Sequence, residues 1–539
     1  MGSQLFKIIK SIVQNKQNQT ALVFWILPLI LAFGFQAFGF GFNRILPRNF
    51  VENVATLIVF LSFTLLFKKR WRQVFQIILY VIFVFNNLFE SIYYYLFKAN
   101  ISASSIFILL ETNLAEAREF VEFYLNPFIL LMLISFLTLL IIYSIKRPIF
   151  SLPKVFKFQK SLYAIGIILP LGLMIYKGFQ QYNFLYLSVN SVFEYIEEQE
   201  KMQKYNINQP LANIEGFEVI RKQDTATYVL IIGESTTRNR LSVYGYDRPT
   251  TPFLDSLKNE LWLYKDVISN HAYTIGALRD ALTLNGLKTG KDFSIVQLMN
   301  QAGFKTFWIS NQRPIGQYES LVTQIAMSSD KYLTKNTALD GSITPFDEVL
   351  IPEFKKALND IALKKFIVIH PLGTHLLYSD RYPEEFDKFR GKSPSNFDHQ
   401  QAHERSNAYD NAILYHDYFL KQVHQEIINI DHPAYMFYFS DHGDEVYESI
   451  DFSGHAEENP TKAMHEIPFL LWMNQDFKSN FNAEYLPENP YILNNFFHTL
   501  SELNGIRFKA YDSTKSIFYQ QDKTQKRIIG LGQDYEDLP

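Results

Sequence analysis

Five long apolar stretches crowd into the first third of this 539-residue chain, and they restrict its fold more than any other feature. They cover residues 20–42, 52–67, 74–97, 127–145 and 162–179. Most come close to the ~20 residues that carry a helix across a bilayer. Helices buried in one large soluble domain would not gather at one end in this way. The first run is long and lacks a small-residue cleavage site, so it reads as a retained span and not as a signal peptide.

Loop charge sets the expected orientation. Lys7, Lys10 and Lys16 precede the first span, Lys68, Lys69, Arg70 and Arg72 separate the second and third, and Lys146, Arg147, Lys154, Lys157 and Lys160 separate the fourth and fifth. By the positive-inside rule these three loops are cytoplasmic, and an odd number of spans leaves the rest of the chain outside. The chain has no cysteine, so an exported domain must rest on core packing alone, which ~350 residues can supply. A net charge of −3 gives no reason to expect nucleic acid as a partner.

Three regions follow: a transmembrane domain over residues 1–180, a polar bridging segment over 181–216 with helix around 192–204, and an exported domain over 217–539. Between the third and fourth spans, residues 100–126 place Leu109, Leu110, Leu114, Ala117, Phe120 and Val121 at helical spacing beside Glu111, Thr112, Glu116 and Arg118. This reads as an amphipathic helix at the outer membrane boundary, or as a plain connector with a solvated charged face. From residue 227 onward, short apolar runs at 228–233, 305–310, 366–370, 435–440 and 467–473 alternate with helical patterns at 274–284, 295–302, 352–362 and 406–428. Such alternation predicts an α/β domain with a largely parallel central sheet.

Within that domain the run Y-M-F-Y-F-S-D-H-G-D-E, residues 435–445, ends a β-prone stretch in metal-capable side chains. Asp441 and His442 offer a carboxylate oxygen and an imidazole nitrogen, a mixture that suits zinc better than calcium or magnesium. Gly443 would let the chain turn at once so that both side chains converge. Another apolar run, Y-V-L-I-I-G, delivers Glu234 to the same expected sheet edge. Thr274 precedes an apolar-periodic stretch; its ordinary role would be an N-cap, although a hydroxyl at a helix N-terminus is also placed to attack phosphorus. All twelve histidines lie after residue 270, and four of them, His370, His375, His455 and His465, stand at or beside predicted strand ends.

The ordered set Y-V-L-I-I-G-E-S, A-Y-T-I-x-A-L, H-P-L-G-T-H, F-S-D-H-G-D and G-H-A-E-E-N-P-T…I-P-F resembles the membrane-anchored phosphoethanolamine transferases of the sulfatase and alkaline-phosphatase superfamily. The likeness spans nearly the whole chain, and A-Y-T-I-G-A-L-R-D-A-L-T most resembles the enzymes that act on the lipopolysaccharide core. The resemblance implies five spans and a periplasmic α/β domain of alkaline-phosphatase type. It implies that Glu234, Thr274, Asp441 and His442 hold one zinc ion, with Thr274 as nucleophile. His375 and His455 would surround the transferred phosphate, with a second metal left open, and His465 would lie close by. Thr112 and Glu116 match positions used for the ethanolamine head group, while a third position, commonly Asn, is Ile108 here.

The implied reaction moves phosphoethanolamine from phosphatidylethanolamine to a lipopolysaccharide acceptor, core or lipid A, through a zinc-activated threonine and a covalent phosphothreonine. A monomeric, multi-pass protein of the bacterial inner membrane is expected. Phosphoglycerol transfer or phosphoester hydrolysis would use the same ligands. Sulfate hydrolysis is disfavoured because Thr274 is followed by Ile275, Gly276, Ala277 and Leu278, with Arg279 one place late for a sulfatase motif. A membrane-anchored sensor or scaffold predicts broken ligands, and all four are present.

Overall fold

The run A-T-Y-V-L-I-I-G has no polar side to turn toward water, so it can form only a strand covered on both faces. In the computed structural model it does so. That model describes residues 14–41, 45–98, 101, 105–106, 109–110, 112, 114–152, 159–177, 183–204, 207–287, 292–312, 321–336, 344–522 and 524–539. Lys7, Lys10, Ile108, Glu111, Lys154 and Lys157, used above, lie outside the described residues.

By contacts the chain divides into two units, Met1–Leu110 with Tyr124–Ile196, and Glu111–Phe123 with Glu197–Pro539. The first contains helices α1 (Lys16–Phe40), α2 (Ile45–Leu65) and α3 (Lys69–Phe97). Helix α4 (Leu114–Tyr124) clusters with the second unit through residue 123, and α5 (Pro127–Lys146), α6 (Gln159–Tyr176) and the start of α7 (Phe184–Lys204) return to the first.

Helices therefore stand at all five apolar stretches. Among the described residues three are long and apolar enough to cross a membrane: Lys16–Gly39, Lys69–Phe97 and Pro127–Lys146. Five full-length spans are thus more than these helices supply by length and composition. Helix α2 carries Arg48 paired with Glu52 at 3.0 Å, and the apolar part of α6, Lys160–Tyr176, is too short. Inside this unit Tyr80 stacks on Tyr143 with ring centroids 3.8 Å apart, and the edge of Trp25 meets Tyr80. Some of its buried polar groups pair with one another: Asn53 donates to Glu90 at 2.7 Å, and Asn86 donates to Asn53 at 2.8 Å. Glu90 and Asn86 in turn accept from the backbone N–H groups of Phe184 and Leu185, which satisfies the first orphan donors of α7.

The second unit is built on a seven-stranded sheet. Its strands are β1 (Ala226–Gly233), β2 (Leu261–Leu263), β3 (Lys305–Ser310), β4 (Lys331–Thr334), β5 (Lys364–His370), β6 (Ala434–Ser440) and β7 (Phe469–Met473). Their order across the sheet is β2-β7-β6-β1-β5-β3-β4. Strands β6, β1, β5, β3 and β4 run parallel, whereas β7 is antiparallel to both β6 and β2. The sheet is therefore mixed, with a parallel centre. The five predicted strands are present, and the two missed ones are the edges β2 and β4, whose three and four residues are too short to show a period.

The longer helices around this sheet are α8 (Thr274–Leu282), α9 (Ile295–Gln301), α10 (Leu321–Met327), α11 (Ile351–Leu358), α12 (Gln400–Ile427) and α13 (Phe496–Leu503). Alternate residues Tyr228, Leu230 and Ile232 of β1 join a core with Phe437 and Phe439 of β6, Leu278 of α8 and Phe496 of α13. Fully burying one such side chain contributes about 1.5–3 kcal/mol. Leu230→Ala, at a position with 0% exposure, is expected to cost about 2–5 kcal/mol. Calorimetry of the purified protein should show the transition of this unit fall by several degrees.

Candidate metal centre

Register brings the candidate ligands together. Strands β6, β1 and β5 lie side by side and parallel, and Gly233 of β1 pairs with Ser440 of β6. The next residues, Glu234 and Asp441, therefore emerge at the same carboxyl edge, where an open α/β sheet places its ligands. Glu234, Asp441 and His442 are 2%, 0% and 0% exposed. Their candidate ligand atoms lie within 4.8 Å of one another.

Each side chain is held by its neighbours. Asp441 Oδ1 accepts from the backbone N–H of Ser235 at 3.0 Å and of His442 at 2.7 Å. His442 Nδ1 lies 3.0 Å from the carbonyl of Gly443, which can only accept, so Nδ1 carries the proton and Nε2 faces inward. That Nε2 is 3.4 Å from Glu234 Oε1 and 3.4 Å from Asp441 Oδ2. Ser235 adopts a left-handed conformation, φ 56°, from which its hydroxyl donates to Glu234 Oε1 at 3.0 Å. Tyr409 of α12 secures this bend by donating to the Ser235 carbonyl at 2.7 Å and accepting from the Thr237 N–H at 2.9 Å.

Gly443 is needed for a different reason from the one its sequence suggests. It does not have a positive φ, but a Cβ there would sit 2.2 Å from the carbonyl oxygen of Ala463. Thr274 also departs from its expected role. Tyr273 is the N-cap and Thr274 the first residue of α8, so its hydroxyl is not spent on the helix backbone. It donates to Glu234 Oε1 at 3.0 Å and lies 3.5 Å from His442 Nε2.

Charge explains what this cluster lacks. Burial pushes Asp441 up, as does the charge of Glu234, to about 7. Burial opposes charge on His442, yet Asp441 and Glu234 outweigh it and push the ring up to about 10. Glu234, for its part, is held below the usual carboxylate range against its burial by the hydrogen bond to, and charge of, His442. Two carboxylates thus depend on one imidazolium. Asp441 Oδ2 remains buried with no hydrogen-bond partner. Two carboxylate oxygens, an imidazole nitrogen and a hydroxyl, with one ligand oxygen left over, fit a divalent metal of zinc type.

Beside this cluster, His442, Asp444 and His455 form a second group of candidate ligands within 4.8 Å. His455 Nδ1 is 2.8 Å from Asp444 Oδ1, and Tyr378 donates to Asp444 Oδ2 at 2.7 Å. The rings of His442 and His455 are 4.2 Å apart. His465 is buried, with Nδ1 2.8 Å from the carbonyl of Ser269 and Nε2 without a partner; burial lowers it to about 4. Burial likewise lowers His375, whose Nδ1 has no hydrogen-bond partner. His370 ends β5 beside Trp308, and it too is lowered by burial, to about 4. Neither His375 nor His465 belongs to either ligand group. Thr112 and Glu116 are half-buried.

Sequence reasoning missed Ser235, Asp444, Tyr378 and a triad that steadies Thr274. Of these only Asp444 carried a signal, the second carboxylate of D-H-G-D. In the triad His271 Nδ1 is 2.7 Å from Glu457 and Nε2 is 3.5 Å from Asp280, while Glu457 also accepts from the Ala272 N–H at 2.7 Å. Asp280 on α8 accepts from Asn270 at 2.8 Å. The loop before Thr274 is thereby fastened to the helix that Thr274 begins.

The sulfatase family model matches residues 226–506. Phosphoethanolamine transferase EptC of Escherichia coli K12 is 30% identical over 560 aligned residues, covering 96% of this chain and 95% of that protein. Phosphoethanolamine transferase CptA of Salmonella typhimurium LT2 is 30% identical over 496 residues, 83% of this chain and 84% of that one. Among solved structures, the C-terminal periplasmic domain of Escherichia coli EptC in complex with zinc matches with a TM-score of 0.58 and 35% identity, covering 61% of this chain and 98% of that domain. The integral membrane lipooligosaccharide phosphoethanolamine transferase A of Neisseria meningitidis shares the fold, with a TM-score of 0.60 at 19% identity over 87% of this chain and 97% of that one.

The triad has a pH signature. Burial works against a charged His271, but its hydrogen bonds to Asp280 and Glu457 prevail and push it up to about 9. Because this exceeds the unfolded value of about 6.5, the stabilisation is complete below pH ~6.5 and is lost as pH rises through ~9. His271→Gln should therefore lower the melting temperature at pH 6 by a few degrees and have little effect at pH 9.5 or above. Thermal scans of both proteins across that range test the sign.

Proposed function

Because the chain belongs to the sulfatase family and, within it, to the phosphoethanolamine transferases, we propose that it moves phosphoethanolamine from phosphatidylethanolamine to a lipopolysaccharide acceptor. The observation that carries this reading is the Thr274 hydroxyl at the start of α8, 3.0 Å from Glu234 and 3.5 Å from His442. Glu234, Thr274, Asp441 and His442 would hold the zinc ion. When bound, zinc lowers the pKa of the Thr274 hydroxyl and neutralises charge on the phosphoryl oxygens.

In the first displacement Thr274 Oγ1 bonds to phosphorus, the bond from phosphorus to the diacylglycerol oxygen breaks, and a phosphoethanolamine-threonine remains. The Thr274 hydroxyl, whose hydrogen bond Glu234 accepts, gives up its proton in this step, and the departing diacylglycerol oxygen takes one up. In the second displacement an acceptor hydroxyl or phosphate bonds to phosphorus and gives up any proton it carries, while the bond from phosphorus to the threonine oxygen breaks and that oxygen is reprotonated. His375, His455 and His465 would line the phosphate, with Asp444 fixing the tautomer of His455. Thr112 and Glu116 would meet the ethanolamine ammonium. The sequence around Thr274, which most resembles that of enzymes acting on the lipopolysaccharide core, favours the core over lipid A as acceptor.

Tethering makes physical sense here, since donor and acceptor are both lipids and a membrane anchor keeps the enzyme at their surface. The reading places the protein in a bacterial inner membrane as a monomer, with five spans and the catalytic unit in the periplasm. Helices α2 and α6 would then complete the crossing with their polar flanks in the head-group layers. The transmembrane domain would occupy 1–180, the bridge 181–216 and the catalytic domain 217–539.

Thr274→Ala is expected to reduce transfer by at least about a thousandfold, read by mass spectrometry of intact lipopolysaccharide from cells carrying the variant. The purified variant should remain folded and keep part of its zinc, whereas Asp441→Ala should lose most of it by elemental analysis. Undiminished transfer by Thr274→Ala would remove the threonine as nucleophile, and a phosphoglycerol adduct in the spectra would replace the substrate.

A further inference from the structure

Helix α4 meets the catalytic residues through contacts that the proposed reaction does not use. Arg381 follows the loop that carries His375, and its side chain is 2% exposed. Its guanidinium donates to the carbonyls of His375 at 3.2 Å and Leu376 at 2.7 Å, clasping the backbone on which the His375 ring stands. The carboxylate that balances this buried cation is Glu119 of α4, 2.5 Å away. The same carboxylate oxygen lies 4.0 Å from His375 Nδ1.

The far end of the helix repeats the pattern on the other phosphate-side histidine. The guanidinium of Arg405 lies 3.7 Å over the Phe123 ring and also donates to the Phe123 carbonyl. The Phe123 ring packs edge-on against Tyr378, 5.6 Å between centroids, and Tyr378 donates to the Asp444 carboxylate that fixes His455. Glu116, Glu119 and Phe123 are spaced i, i+3, i+7 and so share one face of the helix. The position assigned to the ethanolamine group and the two ties to the histidine loops thus lie on one rigid stripe.

We infer that α4 is a latch in which Glu119 is a positioning residue: by neutralising Arg381 it holds the 371–381 loop, and with it His375, in register with the head-group position on the same helix. Without the carboxylate, a buried guanidinium is left unpaired and the loop must move to solvate it. The role assigned to His375 rests on the transferase reading; the latch itself does not.

The test uses the full-length protein in detergent with zinc, and phosphatidylethanolamine in mixed micelles as donor. Glu119→Gln is expected to lower kcat by about ten- to a hundredfold with a smaller change in KM, the size usual when an outer partner of a site is removed. Glu119→Asp should recover part of the loss. In the double variant with Arg381→Gln the two losses should fail to add, since they break one contact. Hydrogen exchange supplies a readout independent of turnover: segments 114–124 and 371–381 should open together in Glu119→Gln while α12 keeps its protection. Exchange that rises in 114–124 alone, or that rises equally across the whole catalytic unit, would overturn the latch, as would unaltered turnover together with unaltered exchange. If the wild-type protein shows no transfer from phosphatidylethanolamine, the substrate reading fails while the exchange result still decides the latch.

Discussion

Two carboxylates buried beside one imidazole are the constraint on which the catalytic unit depends. Removed from water, Glu234 and Asp441 repel one another and need positive charge close by. His442 supplies it only by keeping a proton at Nε2, the nitrogen best placed to bind a metal. The site is therefore satisfied only in part by hydrogen bonds, and Asp441 Oδ2 is buried without a hydrogen-bond partner. A divalent cation bound here would replace that proton with a larger charge and free the imidazole to act as a ligand.

The rest of the unit holds this arrangement in place. A sheet with parallel strands β6, β1 and β5 at its centre sends three chain segments to one edge, and register sets their depth there. Strand β1 is buried along its whole length and pairs residue by residue with β5 on one side and β6 on the other, which leaves Gly233 level with Ser440. Above the edge, support comes from outside the ligand set: Tyr409 under the Ser235 bend, the His271 triad under Thr274, and Tyr378 under Asp444. Such supports decide whether a ligand set is loose or rigid.

How much of this was legible in the sequence follows from what each feature depends on. The central strands and the cluster of carboxylate and imidazole side chains at their ends were readable because a doubly covered strand must be apolar throughout and must stop abruptly where polar chemistry begins. Thr274 was readable as a helix start, but its freedom from capping was not, because that depends on where Glu234 comes to lie. The His271–Glu457 pair, 186 residues apart in sequence, leaves no local trace. Nor does the grouping of residues 111–123 with the catalytic unit, since an amphipathic segment shows that it has an apolar face without showing what covers it. The amino-terminal apolar stretches were legible as helices, and less so as spans, because α2 mixes apolar residues with an internal ion pair.

The left-handed bend at Ser235 limits any attempt to transplant this chemistry. A left-handed residue other than glycine costs about 1–2 kcal/mol, and here the same residue gives its amide to Asp441 and its hydroxyl to Glu234. Glycine would relieve the strain and forfeit the hydroxyl, while a bulkier residue would keep the strain and crowd the ligands. An engineer grafting the Glu234, Asp441 and His442 cluster onto another parallel sheet would have to copy the bend and the tyrosine beneath it as well, or obtain a cluster with the right donors and the wrong aim.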